Sequence, residues 1–254
     1  MSGWGTSRGG LSDQRSADGS ASPSTPAPAL LLEQQAPREL ESVLLLNRGD
    51  HFEVRLLPLL AQLAPAFALA VADFNGDGAM DVFLSQNSFA TDRETGRLDS
   101  GRSLLLSGDG SGNFNALLPE ESGLMLDGEQ RGAAVSDFDE DGRPDIAIAQ
   151  SSGPTRLFRN RGARLGLRVH LNGISGNREG IGAQLRLKFG EHFGPVSEIH
   201  AGSGYWSQDS SVVVLAEPSN PTGLWIRWPG GRITETFIPP GKLDITVDFN
   251  GQIL

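Results

Sequence analysis

The sequence predicts an all-β chain, in which consecutive multi-stranded repeats are followed by a separate small β-domain. Three observations predict it. From Ser42 onward, short apolar runs alternate with Gly, Asp and Asn turns, the punctuation of strands and hairpins. No stretch longer than about 12 residues carries a helical period. A segment built around Asp73 also returns 64 residues later around Asp137.

Taken in order, residues 1–39 are rich in Gly, Ser, Pro and Ala. Such a segment buries too little apolar surface to offset its ordering entropy, so it is expected to be disordered. Residues 40–165 hold the repeats. One copy reads Asp73-Phe-Asn-Gly-Asp-Gly-Ala-Met-Asp81 and the other Asp137-Phe-Asp-Glu-Asp-Gly-Arg-Pro-Asp145, each entered and left through apolar residues. Leu104 to Phe114 reads as a strand, a Gly/Asp turn and a second strand. Val43 to Phe52 looks like the same hairpin from a preceding unit, and Thr155 to Asn160 begins it a third time. Long periods with several strands per unit indicate propeller blades. The expectation is a partial β-propeller of about two blades plus a half-blade. Closure takes roughly four to eight blades, so the chain is expected to be a fragment, a truncated gene product, or a unit that self-associates through unclosed blade edges. Residues 166–254 leave the repeat but keep strand texture at Leu167–Leu171, Ala183–Phe189, Ser211–Leu215, Leu224–Trp228 and Leu243–Phe249.

Composition narrows the function. The formal charge is −10, from 21 basic and 31 acidic residues, which excludes a basic stripe for nucleic acid and argues against docking on anionic lipid. There is no cysteine, hence no disulfide, zinc–thiolate site or thiol nucleophile. No apolar run is long enough to insert in a membrane, and the sequence as given shows no signal peptide.

The acid is concentrated in the two loops, and clustered carboxylates call for a cation. Asp73, Asn75, Asp77 and Asp81, like Asp137, Asp139, Asp141 and Asp145, set oxygen side chains at loop positions 1, 3, 5 and 9. The carbonyl at position 7 (Ala79, Arg143) offers another oxygen, and the position-6 glycine permits the sharp turn. This is a hard-oxygen set for Ca2+, one ion per loop and two per chain. An EF-hand is excluded, because position 12 is Leu84 or Ile148 instead of a bidentate Glu. Four carboxylates against three predict tighter binding in the second loop.

These residues carry a resemblance. Val43 to Asn160 resembles FG-GAP/VCBS-type calcium-binding propeller repeats. The C-terminal part resembles the ASPIC/UnbV domain of the cartilage acidic protein-like family, through Asn177-Arg-Glu-Gly-Ile-Gly-Ala183, Gly202-Ser-Gly-Tyr-Trp-Ser-Gln208 and Trp225-Ile-Arg-Trp-Pro-Gly-Gly-Arg232. Val212 to Ala216 departs from the Phe-Gly-Leu-Gly-like stretch usual there. The resemblance implies calcium binding and export, to the extracellular space, periplasm or cell surface, and no particular reaction.

Other features have simpler readings. Arg48-Gly49-Asp50 falls where the repeat demands a turn, and Gly and Asp are ordinary turn residues. His51, His170, His192 and His200 show no zinc or triad spacing, and nothing pairs Glu179 with Glu198 as glycosidase carboxylates. Tyr205, Trp206, Trp225 and Trp228 are candidates for a sugar-stacking platform. Strand alternation puts Trp228 in the core and Trp225 beside Arg227 on the other face, so Trp225 and Arg227 are the candidate ligand contacts. The reading is a non-catalytic, calcium-binding recognition or adhesion module with an extracellular glycan or protein partner. A polysaccharide-acting enzyme using a propeller face, and a truncated remnant without activity, are the alternatives.

Overall fold

The computed structural model describes residues 41–254, apart from 90, 91, 93, 95 and 217–219; the expected disordered segment at 1–39 lies outside the described residues. Strands β1 (Val43–Asn47) and β2 (Phe52–Leu56) form a two-stranded ribbon. Strands β3 (Ala66–Ala72), β4 (Asp81–Gln86), β5 (Leu104–Gly108) and β6 (Phe114–Leu117) make a four-stranded antiparallel sheet. Strands β7 (Gln130–Ser136), β8 (Asp145–Gln150) and β9 (Gly153–Phe158) repeat its first three strands. A half-blade, a full blade and a blade lacking its outermost strand therefore follow one another. The sheets are open, and the helices are single short turns at Leu59–Gln62 and Pro119–Ser122.

The blades pack through alternation. Ala68, Ala70, Phe83 and Leu105 of one sheet share a buried cluster with Ala133, Ile146 and Ile148 of the next, because residues two apart on a strand share a face. Leu84, Leu104 and Leu106, on the opposite face of the complete blade, are covered by Leu57, Leu60 and Ala61.

The remaining strands are β10 (Gly166–Asn172), β11 (Gln184–Phe189), β12 (His192–Phe193), β13 (Ser197–Glu198), β14 (Val213–Ala216), β15 (Gly223–Arg227), β16 (Ile233–Thr236) and β17 (Asp244–Asp248). They form two sheets, β14-β10-β17 and a second built on β11 and β15. β10 runs parallel to β17, from Arg168 opposite Asp244 to Asn172 opposite Asp248. The sheets enclose one core containing Leu167, Val169, Leu185, Leu224, Ile226, Trp228 and Val247. Trp228 is buried as the alternation predicts; it donates Nε1–H to Thr234 Oγ1 at 3.0 Å and meets Phe249 edge-on.

The two parts are in contact. The Gly166 N–H donates to the Gly142 carbonyl at 2.9 Å, and the Arg164 N–H to the Asn75 carbonyl at 3.2 Å. A segment after β13 lies on the inner strands: Ser210 N–H donates to the Val135 carbonyl at 2.9 Å, and Asp209 Oδ1 accepts from Val135 N–H at 2.7 Å. Gly132 and Gly204 sit where a side chain would collide with, or press on, the opposing backbone.

Candidate functional site

Each Asp-rich loop joins the two inner strands of a blade, β3 to β4 and β7 to β8, and is folded by its own first and last aspartates. In the first loop Asp73 Oδ1 accepts from the N–H groups of Gly76 (2.7 Å) and Asp77 (3.1 Å), and Oδ2 from that of Gly78 (2.7 Å). Asp81 accepts from Phe74 N–H at 2.9 Å and Gly108 N–H at 3.0 Å. The second loop repeats this pattern. Asp137 accepts from Asp141 and Gly142 N–H, and Asp145 from Phe138 and Asn160 N–H. Gly76, Gly78 and Gly142 all lie at positive φ, where an L side chain is strained. In both loops the position-7 carbonyls, Ala79 and Arg143, accept no hydrogen bond among the described residues.

The loops differ in how their charge is balanced. In the first, no basic side chain among the described residues pairs with Asp73, Asp77 or Asp81. Burial, reinforced by Asp73 and Asp77, pushes Asp81 up to about 6. Burial likewise raises Asp73, partly offset by its backbone hydrogen bonds. In the second loop three guanidinium groups are present. Arg159 pairs with Asp139 and reaches Asp141 Oδ2 at 3.3 Å. Arg143 bonds Asp141 Oδ2 at 2.8 Å, and Arg168, from β10, sets Nε 2.8 Å from Asp137 Oδ2. Asp137, Asp139 and Asp145 bring one carboxylate oxygen each within 4.8 Å of one another, a set that can hold a metal ion. Both Asp139 oxygens are buried without a hydrogen bond; Arg159 alone balances them.

In the second loop arginines offset part of the acid, which a count of carboxylates leaves out. Arg159 follows the strand paired outside β8 and corresponds to Ser107 in the first repeat, so aligning the repeats reveals it. Arg168 lies outside the repeat, and nothing in the loop sequence signals it.

The uncompensated first loop has a pH consequence. A carboxyl whose folded pKa is raised binds protons more readily folded than unfolded. In chelator, the Asp81 contribution therefore favours the fold below about pH 4 and is lost as pH rises through about 6. The size is on the order of 1–2 kcal/mol after allowance for solvent screening. A bound divalent ion needs the ionised form and acts in the opposite direction. Thermal melts should show a larger gain from calcium at pH 7 than at pH 5; equal gains would remove this account.

The candidate aromatic platform is not assembled. Trp225 is half-buried against Phe193, with ring centroids 6.3 Å apart, and Arg227 is exposed beside Gln184. Tyr205 meets Phe67 edge-on, while Trp206 stands 93% exposed at φ 50°. A cleft of about 490 Å³ lies between Leu69 and Val71 of β3, Val135 of β7 and the segment carrying Val196, Glu198 and Ser203. The first aspartate of each loop, Asp73 and Asp137, lines it.

Residues 173–250 match the family described as ASPIC and UnbV. The match covers β11 to β17 and leaves both loops outside it. No curated protein matches the chain. Among the described residues, no helix is long and apolar enough to cross a membrane.

Proposed function

We propose that the chain is a non-catalytic, calcium-binding recognition module of the FG-GAP/VCBS type that works outside the cytoplasm, with an extracellular glycan or protein as its partner. The observation carrying this reading is the pair of loops: in the second, Asp137, Asp139 and Asp145 converge on a point that can hold a metal ion, and in the first, burial, with neighbouring carboxylates, raises Asp73 and Asp81, which pair with no basic side chain among the described residues. A divalent cation with oxygen ligands relieves that charge, and Ca2+ accepts the irregular six- to eight-oxygen shell that such a loop offers. Asp73, Asn75, Asp77, Asp81 and the Ala79 carbonyl would hold one ion. Asp137, Asp139, Asp141, Asp145 and the Arg143 carbonyl would hold the second. The ions would supply rigidity and local charge to the blade ends. Trp225 and Arg227 on the open face of β15 are the proposed ligand contacts.

Titration calorimetry of metal-stripped protein should give a stoichiometry near two, with Kd on the order of 10⁻⁴–10⁻³ M, as in extracellular modules. A stoichiometry near zero would sink the reading.

The second ion has to displace Arg159, whose side chain is about half exposed. An exposed ion pair is worth about 0–1 kcal/mol. Arg159→Gln should therefore tighten calcium at the second loop up to about fivefold and leave the first loop unchanged. Unaltered affinity at both loops would show that Arg159 does not compete with the metal.

A further inference from the structure

Among the described residues, the first and last parts of the blade array expose faces that its middle buries. The 64-residue repeat aligns Phe74 with Phe138, Ala70 with Ala134 and Phe83 with Ala147. Leu105 stands opposite Phe83, and Leu157 opposite Ala147. In the complete blade this set faces the next blade. Ala70, Phe83 and Leu105 are buried and Phe74 packs on the same cluster, its carbonyl accepting from Asn160 Nδ2 at 2.8 Å. In the last blade the corresponding face meets no further sheet among the described residues. Phe138 is 69% exposed and Leu157 49% exposed.

At the other end, register places Val43, Leu45, Phe52, Val54 and Leu56 on one face of the β1–β2 ribbon. Leu45, Phe52, Val54 and Leu56 are all exposed. The ribbon's other face is used, with Leu46 lying against Gly112 of the next blade.

Blade packing is directional, because each sheet presents its front to the back of the following one. The exposed set around Phe138 is a front, and the exposed ribbon face is a back. We infer that the chain associates with a second copy of itself head to tail, the Phe138–Leu157 front of one seated on the Leu45–Leu56 ribbon of the next, as Phe74 and Leu105 seat on the following blade within one chain. The contact is heterologous, so it leaves a free front and a free back on every assembly that does not close into a ring. It uses no metal-ligating side chain.

Sedimentation velocity of the full chain in calcium, from about 1 to about 200 µM, a range typical of modest interfaces, should show the average mass rising with concentration. Phe138→Ser and Leu45→Ser should each weaken association by about tenfold or more with circular dichroism unchanged, since both side chains are exposed. Leu157→Ser and Leu56→Ser serve as second variants on the same faces. An equimolar mixture of Phe138→Ser and Leu45→Ser should form a dimer that grows no further, because each supplies the face the other lacks. A chain that stays monomeric across the range, or variants that associate like the parent, would overturn the proposal. So would a mixture that stays monomeric, which points to a symmetric contact.

Discussion

Replacing Arg168 by methionine is expected to destabilise the chelated protein by about 3–5 kcal/mol, the range for breaking a buried ion pair. The Arg168 side chain is 10% exposed and that of Asp137 fully buried. Its guanidinium spans Asp137 in the second loop and Asp244 at the start of β17, with Glu140 at 3.8 Å. Methionine fills much of the volume but leaves the Asp137 charge buried and unbalanced. A calcium ion on Asp137 restores part of that balance, so the loss should be smaller in saturating calcium than in chelator. Urea melts of parent and variant in both conditions test this. An equal loss in both would mean that calcium does not reach Asp137, whatever the first loop does. The same residue bears on how chelation spreads. Loosening of the second loop should reach β10 through Arg168 and Gly166, so amide exchange should rise there as well as in the loops, while β15 stays protected.

Trp228→Ala should cost about 3–5 kcal/mol, as for other fully buried aromatic side chains. Trp228 closes the C-terminal core against Phe249 and anchors Thr234 through its indole N–H. Truncation removes the packing, opens a cavity and leaves the Thr234 hydroxyl without its donor. Because Trp228 touches neither Asp-rich loop, the loss should be the same with and without calcium, in contrast to Arg168. Near-UV dichroism and urea melts read it directly; a cost below about 1 kcal/mol would mean that the core collapses around the gap.

Much of this architecture is legible in the sequence, for reasons particular residues show. Gly and Asp punctuation marks the β1–β2 and β5–β6 hairpins, and Leu224 to Trp228 alternates cleanly enough to put Trp228 inside. The aspartate spacing identifies both loops, because a carboxylate that caps its own turn has to sit at a fixed position. β16 escapes notice: Ile233-Thr-Glu-Thr236 is short and interrupted by polar residues, and only pairing with β15 makes it a strand. The parallel partnership of β10 and β17 joins residues 76 apart and leaves no local trace. Arg168 is invisible for the same reason, since it reaches Asp137 only after the C-terminal part has folded against the blade. Aromatic residues close in sequence, such as Tyr205 and Trp206, are sent in different directions by a left-handed backbone at Trp206.

The parallel pairing of β10 and β17 also decides how the chain would answer a pulling force. β10 is tethered to the blades at its N-terminal end and β17 leads to the C-terminus from its far end, with five residue pairs between them in register. Tension between the blades and the C-terminus first peels back the short return of 250–254 on β17. It then drags the two strands in opposite directions along their length. The slanted hydrogen bonds of a parallel pair are loaded together in that geometry, whereas a hairpin such as β15–β16 opens one pair at a time. Resistance to extension is then a matter of unfolding rate. In that geometry the strand pair acts as a mechanical clamp on the C-terminal part.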